Sequence, residues 1–216
     1  MAQEHARAAE AQTSAKPRAP IVAFDFDGTI TTKDSFTAFL KWRAGPARWW
    51  LGLLRLVPAA LAYLVHRDRG RIKAAAVKVF LKGAPHDRLE ADARRFAETH
   101  ARRLFRPDAV ATWKRWQGRG AKMVIVTASP DIVVAPFGRG LGADLVLGTQ
   151  LAFDPDNRVL GAFSGPNCRG PEKVVRLHEV FGPDLRLAAA YGDTSGDTEM
   201  LAIADEPGFR VFTAKP

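Results

Sequence analysis

The sequence lacks the features that mark several classes of protein. It contains one cysteine, Cys168, so no intrachain disulfide can form, and residues 1 to 20 hold no apolar core of the signal-peptide kind. Its five histidines have no metal-ligand spacing, and no repeat period is visible. These absences exclude a disulfide framework and a repeat array, argue against a zinc site, and favour a reducing, cytoplasmic setting.

The composition is that of a globular protein. The chain has 216 residues, 47% of them hydrophobic and 25% charged, which is enough for one domain or one domain with an insertion. Residues 1–20 are rich in alanine, contain two prolines and show no apolar periodicity. We expect them to form a mobile tail.

Positive charge is concentrated in one part of the chain. The net charge is +9, yet residues 33–106 alone carry 17 Lys and Arg against 6 Asp and Glu. The rest of the chain is therefore slightly acidic. A basic segment of this kind suits a polyanion, which could be nucleic acid, an anionic bilayer or a phosphorylated substrate.

Short apolar runs alternate with helix-like segments outside the basic region. The predicted strands are Ile21–Phe24, Lys122–Thr127 and Leu185–Tyr191, and the predicted helices cover residues 108–118, 131–140 and 171–181. This order predicts an α/β fold, a Rossmann-like parallel sheet with helices on both faces. Two further runs, Leu151–Phe153 and Val159–Phe163, predict a β-hairpin flap beside it.

The basic region differs from the rest of the chain in composition, with many helix-forming residues and few strand signals. We predict that residues 33–106 form an α-helical cap domain inserted into a core domain of residues 21–32 and 107–216. The predicted cap helices are Ser35–Arg43, Ala47–Val65 with a break near Pro58, Arg71–Leu81 and Asp87–Arg103.

Three predicted strands end in polar residues, at positions 25–29, 127–129 and 192–197. The carboxyl ends of parallel strands meet at one edge of a sheet, so these residues should converge. Four carboxylates brought together need a compensating cation, and oxygen ligands without Cys or His indicate Mg²⁺. Lys173, which opens a predicted helix, can supply a second positive charge.

The order and spacing of these residues resemble the haloacid dehalogenase superfamily of phosphotransferases. The motifs are DxDGT at 25–29, a Thr at the end of the second strand at 127, a Lys at 173 and GDxxxD at 192–197. The alternative is that the same residues have only structural roles, as turn formers, helix caps and surface charges. It would require all four motifs to arise by chance in this order.

The resemblance implies a role for each catalytic residue. Asp25 would be the nucleophile that forms an aspartyl-phosphate, and Asp27 would protonate the leaving group and later activate water. Lys173 would neutralise the nucleophile and the phosphate. An acid at position 27 favours phosphate esters over halides as substrates.

The resemblance also implies the ligands of the metal and of the phosphate. Mg²⁺ would be held by Asp25, the main-chain carbonyl of Asp27 and Asp193, with Asp197 supporting them. The predicted phosphate-binding set is the hydroxyl of Thr127 and the main chain at Ala128, Phe26, Asp27 and Gly28.

The position of the insertion is similar to that in the phosphoserine phosphatase-like branch. Nine residues after Asp25, where that branch has a Glu for the substrate amino group, this chain has Asp34. Asp34 is therefore a candidate substrate-binding residue, although it is equally placed to cap the helix that begins at Ser35. The departure from Glu argues against phosphoserine.

Residues 49–65 form an apolar stretch with one charge, flanked by arginines. Its length is just short of a bilayer core and it contains Pro58, so we expect an interfacial element on anionic lipid at residues 43–71 and not a clean span. The alternative is a helical hairpin that packs within the cap. A long basic cap of this kind resembles the phosphatidylglycerophosphatase C group.

The sequence thus predicts a Mg²⁺-dependent phosphatase on the inner face of the membrane, acting on a phospholipid head group such as phosphatidylglycerophosphate. A small soluble phosphomonoester is the first alternative substrate. A nucleic-acid-binding module is a second, weaker alternative, because an apolar stretch is oddly placed on a surface for a polar polyanion; we therefore expect no nucleic-acid partner. The sequence sets no oligomeric state.

Overall fold

The computed structural model of the protein describes residues 19–66 and 69–216. Nearly all of the predicted tail, residues 1–18, lies outside the described part. Within that part, five parallel strands form a sheet in the order β3-β2-β1-β6-β7. The strands are β1 (Ile21–Phe24), β2 (Lys122–Pro130), β3 (Leu145–Thr149), β6 (Leu187–Gly192) and β7 (Ala204–Phe209). A separate antiparallel hairpin consists of β4 (Leu151–Phe153) and β5 (Val159–Phe163).

Helices occupy the connections between the strands. Between β1 and β2 lie α1 (Ser35–His66), α2 (Arg69–Phe80), α3 (His86–Leu104) and α4 (Pro107–Gly118). The remaining helices are α5 (Asp131–Leu141), α6 (Pro171–Phe181), a single 3₁₀ turn at Ser195–Asp197, and α7 (Thr198–Ala202).

Both faces of the sheet are buried, which explains why β1, β6 and residues 123–126 of β2 are almost entirely apolar. On one face, Trp113 of α4 packs against Phe24 with ring centroids 5.0 Å apart, and Phe137 of α5 packs against Phe26. On the other face, Leu177 of α6 joins Val124 and Val126 in a second cluster. The predicted fold class, a parallel sheet with helices on both faces, an inserted helical cap and a β-hairpin flap, is confirmed.

The two edge strands, β3 and β7, were not predicted from the sequence. β3 is five residues long and contains Gly148, and β7 has the sequence ADEPGF, in which Pro207 and two acidic residues oppose a strand assignment. Both pair with strands that were predicted, β3 with β2 and β7 with β6. Both edge strands are stabilised by pairing with a neighbouring strand, and this long-range contact cannot be read from the local sequence.

The predicted break near Pro58 is wrong, whereas the predicted boundary between the helices Ser35–Arg43 and Ala47–Val65 coincides with an interruption of α1 at Gly45. Gly45 has φ 69° and ψ 170°, whereas Pro58 lies within the helix. Glycine adopts positive φ without steric cost. Pro46 also disfavours the helical conformation at the residue before it, which is Gly45. Gly-Pro therefore divides α1 into two helical segments at this point.

The insertion is fastened to the hairpin flap by main-chain hydrogen bonds. The amide of Gly83 donates to the carbonyl of Val159, the amide of Val159 donates to Ala84, and the amide of His86 donates to Asn157. These bonds join the turn between α2 and α3 to the β4–β5 hairpin, although the two are far apart in sequence.

The second segment of α1 packs one side on α2 and leaves the other open. Trp49 stacks on Phe80 of α2 with ring centroids 5.2 Å apart, and the helix backbone at Gly52 lies against the same ring. On the outer side, a row of large apolar residues is about half exposed or more: Trp50, Leu51, Leu54, Val57 and Leu61. Among the described helices, none combines the length and apolarity needed to cross a bilayer.

The close approach of Gly52 to Phe80 gives a stability prediction. A Cβ at residue 52 would overlap the Phe80 ring, so we expect Gly52→Ala to lower the free energy of unfolding by about 1–3 kcal/mol through overpacking. Gly140→Ala in α5 is the matched control, because a Cβ there meets nothing within 4 Å and a helical alanine replaces a glycine. Urea denaturation followed by circular dichroism measures both, and equal stability of the two variants would contradict the packing described here.

Candidate active site

Three strands place polar residues around one cavity of about 120 Å³ at the carboxyl edge of the sheet. Asp25 and Asp27 follow β1, Thr127 and Ala128 lie near the end of β2, and the loop after β6 supplies Asp197. The other residues that line the cavity are Asp34, Lys73, Asn167, Arg169, Lys173, Thr194 and Gly196. The residues predicted as site residues therefore lie largely together, joined by side chains from the cap and from the segment before α6.

Lys173 is the centre of this cluster. Its ammonium group donates to Asp25 Oδ1 at 2.6 Å, to the main-chain carbonyl of Val126 at 2.6 Å and to Asp197 Oδ1 at 2.7 Å. The side chain is 1% exposed, so all three of its hydrogen-bond donors are used inside the protein. α6 begins at Pro171 after Gly170, and this turn brings Lys173 under the ends of β1 and β2.

The charges around Lys173 do not balance. Burial raises the pKa of Asp25 to about 7 and outweighs the lowering by Lys173, and the charge of Asp197 raises it further. Burial also acts to raise the pKa of Asp197, but Lys173 and hydrogen bonds from Thr194 outweigh it and hold the pKa below its usual range. For Lys173, burial is outweighed by the two carboxylates, so its pKa is raised. One ammonium thus holds one carboxylate fully ionised, and Asp25 needs a further cation to be so at neutral pH.

Asp27 has a different environment from Asp25. Its Oδ1 accepts from the main-chain amide of Ser35 at 2.7 Å, and its Oδ2 accepts a short hydrogen bond from the Ser129 hydroxyl. Burial raises the pKa of Asp27, and the charge of Asp34 adds to this, against lowering by Lys73. A carboxyl group in these surroundings favours the protonated form more than one in water does.

A set of carboxylate oxygens that could hold a cation lies beside Lys173. Oxygens of Asp25, Asp193 and Asp197 are within 4.8 Å of one another. Both oxygens of Asp197 are engaged, Oδ1 by Lys173 and Oδ2 by Thr194, whereas Asp193 accepts from the Thr29 hydroxyl at 3.4 Å. The same Thr29 hydroxyl lies 3.2 Å from Asp25 Oδ2, and its single proton can serve only one of the two carboxylates at a time. Asp25 and Asp193 are thus the carboxylates with capacity to spare, and hard oxygen donors of this kind suit Mg²⁺.

Gly28 explains how Asp193 can approach β1. Gly28 has φ +90°, and a Cβ there would overlap the Asp193 carboxylate. Gly28, Thr29 and Asp193 line an adjoining cavity of about 230 Å³ and not the one that contains Lys173. The carboxylate of Asp193 therefore lies at the border of the two cavities.

The remaining predicted phosphate-binding residues are placed differently from one another. Thr127 and Ala128 line the cavity, and the Thr127 hydroxyl accepts from the amide of Ser129 at 3.1 Å. The side chain of Phe26 is fully buried against Phe105 and Phe137 and lies outside the lining.

Asp34 both caps α1 and faces the cavity, which are the two alternatives that the sequence left open. Its Oδ1 caps α1 by accepting from the amide of Thr37 at 2.7 Å, and its Oδ2 lies 3.6 Å from the ammonium of Lys73. Since Asp34 also lines the cavity, it is a helix cap that faces the site. Lys73 in turn donates to the Ser129 hydroxyl at 3.3 Å and so links α2 to the partner of Asp27.

Six residues of this site had no role predicted from the sequence: Lys73, Ser129, Asn167, Arg169, Thr194 and Gly196. Ser129 follows Thr127 on the same strand end, so its position was available as a signal. Arg169 donates to Thr194 and Ser195 in the loop after β6. Lys73 is one of many basic residues in the insertion, and nothing in its local sequence separates it from the others.

Known proteins resemble this chain in sequence and in fold. It is 67% identical over 196 residues to Protein CicA of Caulobacter vibrioides, covering 91% of this chain and 88% of that protein. It is 35% identical over 94 residues to the Inhibition of morphological differentiation protein of Streptomyces azureus, which covers 41% of this chain and 32% of that one.

Two solved structures show the same fold. A protein of unknown function from Bordetella pertussis Tohama I superposes with a TM-score of 0.67 at 19% identity, over 88% of both chains. A substrate-bound phosphoserine phosphatase superposes with a TM-score of 0.61 at 20% identity, over 93% of this chain and 89% of that one. The family model of haloacid dehalogenase-like hydrolases matches residues 22–202, which include every element around the cavity. The chain belongs to the haloacid dehalogenase-like hydrolase family.

Proposed function

We propose that the protein is a Mg²⁺-dependent phosphatase that acts through an aspartyl-phosphate on Asp25. The observation that carries this proposal is the difference between two neighbouring carboxyl groups. Asp25 is bound to the buried ammonium of Lys173, whereas Asp27 accepts from a serine hydroxyl and an amide beside the charge of Asp34. Environments that separate two carboxyl groups in this way suit a nucleophile and an acid.

In the first step, the Asp25 carboxylate attacks the phosphorus atom and the bond from phosphorus to the leaving oxygen breaks. Lys173 holds Asp25 in place and offsets charge on the phosphoryl group, and the Thr127 hydroxyl and Ala128 face the same cavity. Asp27 gives its proton to the leaving alkoxide. Ser129 and the Ser35 amide fix the orientation of Asp27 during this transfer.

In the second step, Asp27 is ionised and takes a proton from water, and the water oxygen attacks phosphorus. The bond from phosphorus to Asp25 then breaks, which releases inorganic phosphate and restores both carboxyl groups. The oxygens of Asp25 and Asp193, with the main-chain carbonyl of Asp27, are the ligands we propose for Mg²⁺, and Asp197 orients Lys173. The ion would supply positive charge that keeps Asp25 ionised and stabilises charge on the phosphoryl oxygens.

The nucleophile assignment predicts the outcome of a nearly isosteric change. Asp25→Asn should abolish phosphate release from p-nitrophenyl phosphate and trapping of a phosphoenzyme, while circular dichroism stays unchanged. Asp205→Asn, an exposed surface carboxylate paired with Arg186, is the control and should keep full activity. Activity in Asp25→Asn at the level of this control would refute the assignment.

The metal assignment predicts a change in the requirement for Mg²⁺. Asp193→Asn should raise the Mg²⁺ concentration for half-maximal activity by about tenfold or more, because losing one ligand weakens the site. Asp184→Asn, an exposed acidic position outside the cluster, should not change it. Titration of Mg²⁺ into chelator-treated protein measures both, and equal requirements in the two variants would contradict a ligand role for Asp193.

For the substrate, we propose the head-group phosphate of a phospholipid such as phosphatidylglycerophosphate. The support comes from the outer side of α1, where Trp50 is 67%, Leu54 69% and Leu61 60% exposed. Arg48 and Arg55 lie on the same helix and are also exposed. An apolar row with cations beside it suits the surface of an anionic bilayer, as on the inner face of a cytoplasmic membrane.

The second candidate is a small phosphomonoester related to phosphoserine. It is favoured by the pair of Asp34 and Lys73, which together offer a carboxylate and an ammonium to the leaving group. Phosphate release from phosphatidylglycerophosphate, phosphoserine and a sugar phosphate, each with and without Mg²⁺, separates the candidates. A preference for phosphoserine would overturn the lipid proposal and keep the phosphatase.

The membrane proposal predicts binding to vesicles. The protein should sediment with phosphatidylcholine vesicles that contain phosphatidylglycerol, and the double variant Trp50→Ser/Leu54→Ser should bind several-fold more weakly because less apolar surface enters the interface. Leu160→Ser/Val180→Ser removes comparable exposed apolar residues elsewhere and serves as the control. Equal sedimentation of the two double variants would end the membrane argument.

A further inference from the structure

A cavity larger than the two at the sheet edge lies in the cap, beside the Gly45 interruption of α1. Its volume is about 740 Å³, within the range of sites for small organic ligands. Both segments of α1 contribute walls, and α3 closes the third side. The aromatic side chains that line it are Trp42, Trp49, Trp50, Phe96 and His100.

Most of these walls are held in place by contacts with one another. Trp42 lies against both Phe96 and His100, with ring centroids 5.6 Å and 6.2 Å away, and Phe96 stacks on His100 at 4.4 Å. Trp49 is held from behind by Phe80. Trp50, at the mouth, is the exception, because it is 67% exposed. The cavity is therefore largely preformed and does not depend on a ligand for its shape.

The cavity adjoins the catalytic one. Asp34 lines both cavities. Its carboxylate faces Lys73 on the catalytic side. It also caps the helix whose residues Thr37, Ala38 and Lys41 form a wall of the cap cavity. The two cavities therefore meet at Asp34, and this is where we expect the leaving group of a substrate with its phosphate at Asp25 to reach the cap.

The chemistry of the walls favours hydrocarbon over a polar ring such as a nucleobase. The polar groups beside the aromatic walls have partners: His100 Nδ1 lies 3.1 Å from the carbonyl of Phe96, and the Asp34 carboxylate holds the Thr37 amide and Lys73. The other charged residues of the lining, Lys33 and Lys41, are exposed to solvent. A base would leave its hydrogen-bonding edge poorly matched in such a site. At the mouth, Trp50 continues into the exposed apolar row of α1.

We propose that the cap cavity binds the hydrocarbon part of an amphiphilic phosphomonoester whose phosphate occupies the catalytic cavity. This inference rests on the proposed phosphatase function. It adds that the protein itself, and not only the bilayer, holds the apolar part of the substrate. The enzyme should therefore select for chain length in the absence of any membrane.

The test compares n-alkyl phosphates from ethyl to octyl, as dissolved monomers without vesicles or detergent. The value of kcat/KM should rise by about tenfold or more from ethyl to octyl, since each methylene that enters an apolar site is removed from water. Calorimetric titration with octylphosphonate, which cannot be hydrolysed, should give a correspondingly lower Kd than ethylphosphonate. The second measurement does not depend on turnover.

Two substitutions locate the effect. Trp50→Glu puts a charge at the mouth of the cavity and should lower the octyl-to-ethyl ratio of kcat/KM by about tenfold, because the carboxylate opposes entry of hydrocarbon. Val180→Glu puts the same charge on an exposed apolar position of α6 that neither lines the cavity nor belongs to the apolar row of α1. It should leave the ratio unchanged.

The outcomes separate this inference from the proposed function. Hydrolysis of p-nitrophenyl phosphate with no dependence on chain length would overturn the cavity assignment and leave the phosphatase standing. No hydrolysis of any phosphomonoester would overturn the phosphatase itself. Preference for a nucleoside monophosphate over octyl phosphate, or equal loss of the ratio in both glutamate variants, would also refute a hydrocarbon site at this position.

Discussion

The structure depends on one buried ammonium group. Lys173 joins the end of β1 through Asp25, the end of β2 through the Val126 carbonyl and the loop after β6 through Asp197. A lysine buried to this extent is stable only because carboxylates surround it, and those carboxylates are tolerated in the interior because the lysine is there. The same contacts that hold three strand ends together therefore also leave an excess of negative charge, which makes the site receptive to a cation.

Much of the core was readable from sequence because its signals are local. Strands β1, β2 and β6 are apolar runs that stop at polar turns, and parallel strands in a sheet bring such turns to one edge whatever the details of the loops. Asp25, Asp27, Thr127 and Lys173 were placed by their order along the chain. The structure brings them around one cavity because strand order in the sheet follows from the same alternation of elements.

What escaped prediction depends on distant contacts. β7 is a strand through its pairing with β6, although its own residues oppose it. Pro58 does not break α1, because the packing of the second segment of α1 on α2 supports the helix, and the local sequence does not show that contact. Lys73 reaches Ser129 from a helix whose placement against the sheet no local pattern encodes.

The main-chain bonds between the α2–α3 turn and the hairpin have a mechanical consequence. Main-chain hydrogen bonds join Gly83, Ala84 and His86 directly to Asn157 and Val159. The helical insertion and the hairpin should therefore move as one unit. A displacement of this unit away from the sheet would have to bend the chain at the short linkers before α1 and after α3, and where the hairpin joins the core. Because Lys73 of α2 donates to Ser129, the hydrogen-bond partner of Asp27, such a displacement would separate Lys73 from Ser129 and so change the surroundings of the acid.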